Sequence, residues 1–152
     1  MKSSVVQVSI RGIMPANNGC ALFVGNDEKV FVISVEPQMG RIIAGFMQNV
    51  PNERPLTHDL INRIFQGFAI TVERVVITDL KNATYYAKLF LQQQNELARK
   101  IVELDARPSD CLALAAAQHK PIYVAAPLFE QVEDMSAVLE KINESTAGSE
   151  TD

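Results

Sequence analysis

Apolar and polar residues alternate along the start of the chain, and continuous apolar runs follow. Residues 6–10 alternate with a period of two, which predicts a half-buried strand. The runs at residues 20–24 and 30–35 are rich in β-branched residues and are separated by a Gly-Asn-Asp-Glu turn, so they predict a hairpin. A further strand is expected over residues 41–46.

The second half of the chain mixes strand and helix patterns. Three runs joined by short polar turns predict a meander of strands, over residues 72–79, 84–91 and 97–104. Apolar residues at helical spacing predict three helices, over residues 57–67, 109–119 and 133–144, with a short strand at Ile122 between the last two. Runs of strands with segregated helices predict an α+β fold with largely antiparallel sheets and a C-terminal helix. A small α/β fold is the less favoured alternative, because hairpin connections need antiparallel pairing.

Length and composition indicate one globular domain. The chain has 152 residues, of which 47% are hydrophobic and 21% charged. We expect a single domain over residues 1–144 and a disordered tail over residues 145–152, where no core-forming residues occur. Cys20 and Cys111 lie among apolar neighbours and fit no zinc or disulfide pattern, so both are expected to be buried thiols.

The charge balance limits the possible partners. A net charge of −4 disfavours tight non-specific binding to nucleic acid, although a local basic groove remains compatible with it. No apolar run reaches the length of a membrane helix, and residues 1–4 lead into the first strand without a signal-peptide core. We therefore expect a soluble cytoplasmic protein that makes no membrane contact.

One motif occurs twice. Residues 54–60 are Arg-Pro-Leu-Thr-His-Asp-Leu, and residues 107–112 are Arg-Pro-Ser-Asp-Cys-Leu. Each copy follows a strand-like stretch and leads into a predicted helix, which indicates two duplicated strand–turn–helix–strand units over residues 41–79 and 98–125. Each proline keeps the residue before it out of helical conformation, so a helix is expected to begin just after it.

The first copy places several polar groups at a helix start. If Thr57 is the N-cap, His58 and Asp59 lie in the first turn, where the helix dipole favours anions and disfavours a protonated imidazole. His58 is then expected to be neutral and able to accept a proton or bind a metal ion. The alternative is structural: His58 packs at the helix start, and Asp59 is an acid favoured by the dipole.

The second copy combines a strand end with a helix start. Glu103 and Asp105 are two residues apart on a predicted strand and share a face, while Asp110 follows the expected cap Ser109. Carboxylates that converge in this way commonly bind Mg²⁺ or Mn²⁺. The alternative is a clamp between Arg107 and a carboxylate that fixes the turn without any ligand.

The two motifs are accompanied by Thr-Tyr-Tyr-Ala at residues 84–87 and Lys-Pro-Ile-Tyr-Val at residues 120–124. Together these segments resemble the bifunctional nuclease domain family over about residues 5–130. The resemblance implies an α+β domain that self-associates and a nuclease activity on DNA and RNA. Some members of the family carry a further helical module. The residues after 144 are too few for such a module, so the chain resembles the stand-alone bacterial form.

The leading functional hypothesis is a nuclease with little sequence preference. The residues expected to act on the substrate are Glu53, Arg54, His58, Asp59, Arg107 and Ser109. The expected ligands of Mg²⁺ or Mn²⁺, with Glu53 or Glu103 in support, are Asp59, Asp105 and Asp110. The alternative is a non-catalytic oligomeric scaffold or regulatory binding module.

A homodimer or larger homo-oligomer is expected on packing grounds. A domain with many strands and three helices leaves sheet edges or an apolar helix face uncovered. Five aromatic residues are expected not to fit together in one small core: Phe23, Phe31, Phe46, Tyr85 and Phe90.

Overall fold

The computed structural model describes residues 4–149, which form the α+β fold predicted from the sequence. The strands in this range are β1 (Val5–Ala16), β2 (Gly19–Gly25), β3 (Val30–Val35), β4 (Ile70–Lys81), β5 (Thr84–Gln94), β6 (Arg99–Ala106) and β7 (Ile122–Ala125). The helices are α1 (Pro37–Met47), α2 (Thr57–Gly67), α3 (Pro108–Gln118), α4 (Ala126–Gln131) and α5 (Ser136–Ser149). No helix within residues 4–149 has both the length and the apolar content that a bilayer span requires.

All the strands belong to one seven-stranded sheet with the order β3-β2-β1-β7-β4-β5-β6. The predicted hairpin corresponds to β2 and β3, and the predicted meander to β4, β5 and β6. The short strand β7 pairs antiparallel with β1 and parallel with β4. Strand β7 therefore joins two antiparallel halves of the sheet. Its pairing with β4 is parallel, whereas the other strand pairings of this sheet are antiparallel.

The core lies between the sheet and the helices α1 and α3. Helix α1 packs against α3 and β2, and α3 packs against β4 and β5. Ala113 and Ala115 are buried on α3, and their small side chains allow the helix to approach the sheet closely. Leu22 on β2, Ile43 on α1 and Leu112 on α3 are fully buried in the same cluster. The two motif-bearing segments are thus held by one continuous core.

The strand predicted over residues 41–46 is wrong, because these residues lie within α1. Pro37 occupies the first helical turn after the extended residue Glu36, where its missing N–H costs nothing. Met39 and Ile43 are buried four residues apart, so the apolar positions follow a helical period. The first copy of the motif therefore follows a helix, and only the second is strand–turn–helix–strand, although Leu60 and Leu112 are both helical as expected.

The starts of α2 and α3 also differ from the prediction. The N-caps are Leu56 and Arg107, so the hydroxyls of Thr57 and Ser109 lie inside the helices and make no capping hydrogen bond. A carboxylate acts at α2 instead: Oδ2 of Asp59 accepts the N–H of Leu56 at 2.8 Å. This bond reaches back from the third helical position, as the acidic member of a capping box does.

The C-terminal helix begins and ends later than expected. Helix α5 runs over Ser136–Ser149, so residues 145–149 of the expected tail are helical, and residues 150–152 lie outside the described residues. Asp134 precedes the helix, and its Oδ1 accepts the N–H groups of Ser136 at 3.0 Å and of Val30 at 3.1 Å. This carboxylate thereby ties the start of α5 to β3. The short helix α4 was not predicted.

Candidate functional site

The two copies of the motif meet at the carboxylate of Asp110. Oδ1 of Asp110 lies 2.9 Å from Nε2 of His58, which belongs to the first copy. Nε of Arg107 donates to Oδ2 of Asp110 at 2.9 Å, so the arginine–carboxylate clamp weighed from the sequence is present. The expected convergence of the two copies is therefore made by His58 and Asp110, and not by Asp59 and Asp110.

These three side chains run from the interior to the surface. The exposed fraction is 9% for the His58 side chain, 33% for Asp110 and 63% for Arg107. Nδ1 of His58 is buried and has no hydrogen-bond partner within the described residues. The imidazole reaches the carboxylate of Asp110 through Nε2, which is its one partnered ring nitrogen within the described residues. His58 therefore packs in the interior at the start of α2, as its structural alternative expected.

The carboxylate of Asp110 is held in its charged form. Burial raises its pKa, but the hydrogen bonds from Arg107 and His58, together with electrostatic attraction to the same two groups, lower the pKa below its usual value. The hydrogen bond to Asp110 and its charge in turn raise the pKa of Arg107. Within residues 4–149, the Arg107 side chain makes one hydrogen bond, the bond from Nε to Asp110. Its two terminal nitrogens are therefore available to a ligand.

Arg107 lines a cavity of about 650 Å³, which we call the arginine cavity. It lies between β2, β3, the start of α1, the β4–β5 turn and the start of α3. Its polar lining residues are Asn18, Ser34, Glu36, Thr84, Tyr85, Arg107 and Ser109. One cation and one carboxylate, Arg107 and Glu36, are its charged groups, and the charge of Glu36 contributes to the raised pKa of Arg107.

Sequence reasoning missed Glu36. The residue precedes Pro37 and ends in an extended conformation, so the Glu-Pro pair at the start of α1 was the available signal. The pair is not diagnostic on its own, because the apolar residues that follow it favour a strand locally. Of the residues expected to act on substrate, Arg107 and Ser109 line the arginine cavity.

The other predicted site residues lie apart from this cavity. Glu53 and Arg54 are exposed on the loop between α1 and α2 and do not line it. Asp59 is hydrogen-bonded at the start of α2, where its Oδ2 also accepts a hydrogen bond from Nδ2 of Asn52 at 2.9 Å. Glu103 and Asp105 are exposed on the edge strand β6, two residues apart as predicted.

The predicted metal ligands do not form a ready-made centre. Within residues 4–149, no three His, Cys, Asp or Glu side chains are grouped as metal ligands. Asp105 and Asp110 do lie near one thiol, since burial first and then the charges of Asp110 and Asp105 raise the pKa of Cys111 to about 12. Asp59 uses Oδ2 for Leu56 and Asn52, and Asp110 uses both of its carboxylate oxygens for His58 and Arg107.

Comparison with known proteins agrees with the resemblance seen in the motifs. The model of the bifunctional nuclease domain matches residues 22–136, a range that contains both motif copies and Glu36. Two uncharacterized proteins of Mycobacterium tuberculosis, MT1877 and Rv1829 from two strains, are each 32% identical over 125 residues. In both comparisons the alignment covers 82% of this chain and 72% of the relative. The chain belongs to the bifunctional nuclease domain family.

Proposed function

We propose that this protein is a nuclease that hydrolyses phosphodiester bonds of DNA, RNA or both, with little sequence preference. The observation that carries the proposal is the placement of Arg107. Its Nε is fixed by Asp110 while the rest of its guanidinium is free to meet a ligand in the arginine cavity. A planar guanidinium held in this way suits bidentate binding of phosphate oxygens.

The roles of the neighbouring residues follow from their positions. Arg107 neutralises the negative charge that builds up on the phosphate as water attacks phosphorus. Glu36, the carboxylate that faces the same cavity, accepts the proton of the attacking water. The hydroxyl groups of Ser109 and Ser34 donate to the phosphate or to that water. The bond to the leaving oxygen breaks, and that oxygen takes its proton from solvent.

Assistance by Mg²⁺ or Mn²⁺ belongs to this proposal as a separate element. Asp105 and Asp110 supply carboxylate oxygens of the type these ions prefer, although both oxygens of Asp110 already accept hydrogen bonds, from His58 and Arg107. A bound divalent ion would neutralise phosphate charge. Because the described carboxylates do not form a three-ligand group, no step is assigned to the ion.

A non-catalytic oligomeric scaffold is the second candidate, and an exposed apolar stripe on α2 favours it. Four exposed apolar residues are spaced four apart from the N-cap to the C-cap of this helix, namely Leu56, Leu60, Ile64 and Phe68. We propose a homodimer that covers this stripe. Of the five aromatic residues expected not to fit together in one small core, Phe23 and Phe31 are buried, so the stripe on α2 is the better interface candidate.

Cleavage assays separate the two candidates. Plasmid DNA, single-stranded DNA and RNA are incubated with the wild type and with the variants Arg107→Gln and Glu36→Gln, with Mg²⁺, with Mn²⁺ and with EDTA. We expect each variant to lose about a hundredfold in rate, as removal of one transition-state contact commonly does. Arg63→Gln, on the exposed side of α2 and outside the cavity, is the charge-matched control and should keep full activity.

Two results would argue for the scaffold. One is a purified wild type that cleaves none of the three substrates with any of the ions. The other is residual cleavage that Arg107→Gln, Glu36→Gln and Arg63→Gln all leave at the same level, since it would then come from elsewhere.

A further inference from the structure

A second cavity adjoins the arginine cavity. It has a volume of about 570 Å³ and lies between β1 and α1. Gly19, Cys20 and Pro37 line both cavities, so the two share a wall at the start of β2 and α1. Of these three residues, Gly19 has no side chain and Cys20 is buried.

The second cavity combines an apolar surface with cationic groups. Ile10, Ile13 and Ala44 contribute the apolar part, while Arg11 and Arg41 are the charged residues that line it. Such a surface suits an uncharged planar or sugar-like group next to an anion. The volume lies within the range of roughly 300–1,000 Å³ in which small organic ligands bind.

The charges along the two cavities differ from those of the whole chain. Their charged lining residues are three arginines and one glutamate, whereas the full chain carries 14 basic and 18 acidic residues. Asp27 pairs with Arg11 at 2.8 Å and offsets part of its charge. Arg41 has no ion pair within the described residues, and its charge lowers the pKa of the Cys20 thiol against the larger raising effect of burial. Arg41 therefore lies near the shared wall as an unpaired cation.

We infer that the second cavity holds the nucleotide next to the scissile phosphate, with Arg41 binding the following phosphate and Arg11 supporting it. The inference rests on the proposed function, because Arg107 marks the place of the scissile phosphate. It defines the substrate as a single strand. A cavity of this kind takes an unstacked base, and paired bases in a duplex are not available to it.

Binding measurements test the inference without relying on cleavage. A fluorescein-labelled hexanucleotide with phosphorothioate linkages resists hydrolysis and keeps its backbone charge. Its affinity is measured by anisotropy at several salt concentrations for the wild type, Arg41→Gln, Arg41→Lys and the control Arg63→Gln. Melting temperatures of all four proteins check that each is folded.

We expect Arg41→Gln to weaken binding by about tenfold, as loss of one charge-assisted contact does. The slope of log affinity against log salt should fall by about 0.7, the value for one phosphate contact on a single strand. Arg41→Lys should restore the slope, because it keeps the charge, and Arg63→Gln should match the wild type. An unlabelled duplex of the same sequence should compete poorly.

The inference is overturned if Arg41→Gln and Arg63→Gln bind alike, if the duplex competes as well as the single strand, or if the wild type does not bind the hexanucleotide. Failure of the proposed function has a different signature. In that case binding would depend on Arg41 as expected, while unmodified DNA and RNA would remain intact under all conditions.

Discussion

Nε2 of His58 lies 2.9 Å from Oδ1 of Asp110, although the two residues are 52 positions apart in the chain. The contact joins the start of α2 to the start of α3. Since Asp110 also holds Arg107, the first copy of the motif fixes a residue of the second. The two copies thus have different roles: one supports, and the other presents its arginine to the arginine cavity.

Replacing His58 by alanine should lower the free energy of unfolding by about 1–3 kcal/mol. The change leaves Oδ1 of Asp110 without its partner and opens space in the interior. Urea unfolding at pH 7 measures the effect. His119→Asn is the control, because His119 is exposed at the left-handed end of α3, where asparagine is tolerated, and it should change stability by less than about 0.5 kcal/mol. Equal losses in the two variants would contradict a specific His58–Asp110 contribution.

Asp110 should make stability depend on acid pH. Its pKa is lower in the folded protein than in the unfolded chain, so its contribution is present above the unfolded pKa, about 3.9. The contribution is lost as pH falls through the folded pKa. Asp110→Asn should therefore be less stable than the wild type at pH 7, with a difference that shrinks below about pH 4. A constant difference in urea unfolding from pH 7 to pH 3 would argue against this assignment.

Cys111 should act at the opposite end of the pH scale. Its pKa is raised from 9.0 to about 12 in the folded protein, so its stabilising contribution is complete below pH 9. That contribution is lost as pH rises from 9 towards 12, because unfolding then releases the thiol proton. Cys111→Ala should flatten this alkaline loss of stability relative to the wild type. The native thiol should also react slowly with iodoacetamide at pH 8, and fast alkylation without unfolding would contradict the burial.

Gly40 and Gly45 lie on the same helix and should respond oppositely to alanine. A Cβ at Gly40 would clash with Sγ of Cys20, whereas one at Gly45 would meet nothing within 4 Å. Gly40→Ala should therefore destabilise the protein by about 1–3 kcal/mol through overpacking. Gly45→Ala should stabilise it by about 0.5 kcal/mol through helix propensity. The denaturant midpoints of the two variants measure these changes in stability. A Gly40→Ala variant more stable than the wild type would contradict the close packing of α1 on β2.

The apolar stripe of α2 should control assembly. Light scattering should give at least twice the chain mass of 16.8 kDa for the wild type at micromolar concentration. The double variant Leu60→Lys, Ile64→Lys should shift the protein towards monomer. Leu60 is 53% exposed and Ile64 48% exposed, so each substitution places a charge on the proposed interface. Val138→Lys, at a 41% exposed position on α5, serves as the control and should leave the mass unchanged. A monomeric wild type would exclude the stripe as a dimer interface.

Local signals accounted for much of the fold. Helix α2 has the predicted bounds because its apolar spacing is regular, and the β2–β3 hairpin follows from two apolar runs around a polar turn. Helix α1 was missed because adjacent isoleucines at 42 and 43 favour a strand locally. Burial of Met39 and Ile43 on one helix face overrode that preference, and this depends on packing that a short window does not contain.

The candidate site was predictable only where it is local. The contact of Arg107 with Asp110 spans three residues, and the sequence offered it as a clamp. The partner of His58 depends on how α2 packs beside α3, and the place of Glu36 depends on the approach of α1 to α3. Both are long-range relationships, and no spacing within either motif encodes them.

The central position of β7 has a consequence for how the chain folds. This strand of four residues is the last of the seven to be synthesised, yet it is the one that joins β1 to β4. Until Ile122–Ala125 are available, the nascent chain holds two separate meanders, each with an unpaired edge open to other chains. Closure of the sheet is therefore a late, long-range event, of the kind that makes folding slow. A ribosome that stalls before residue 122 would release an aggregation-prone chain, however stable the finished domain is.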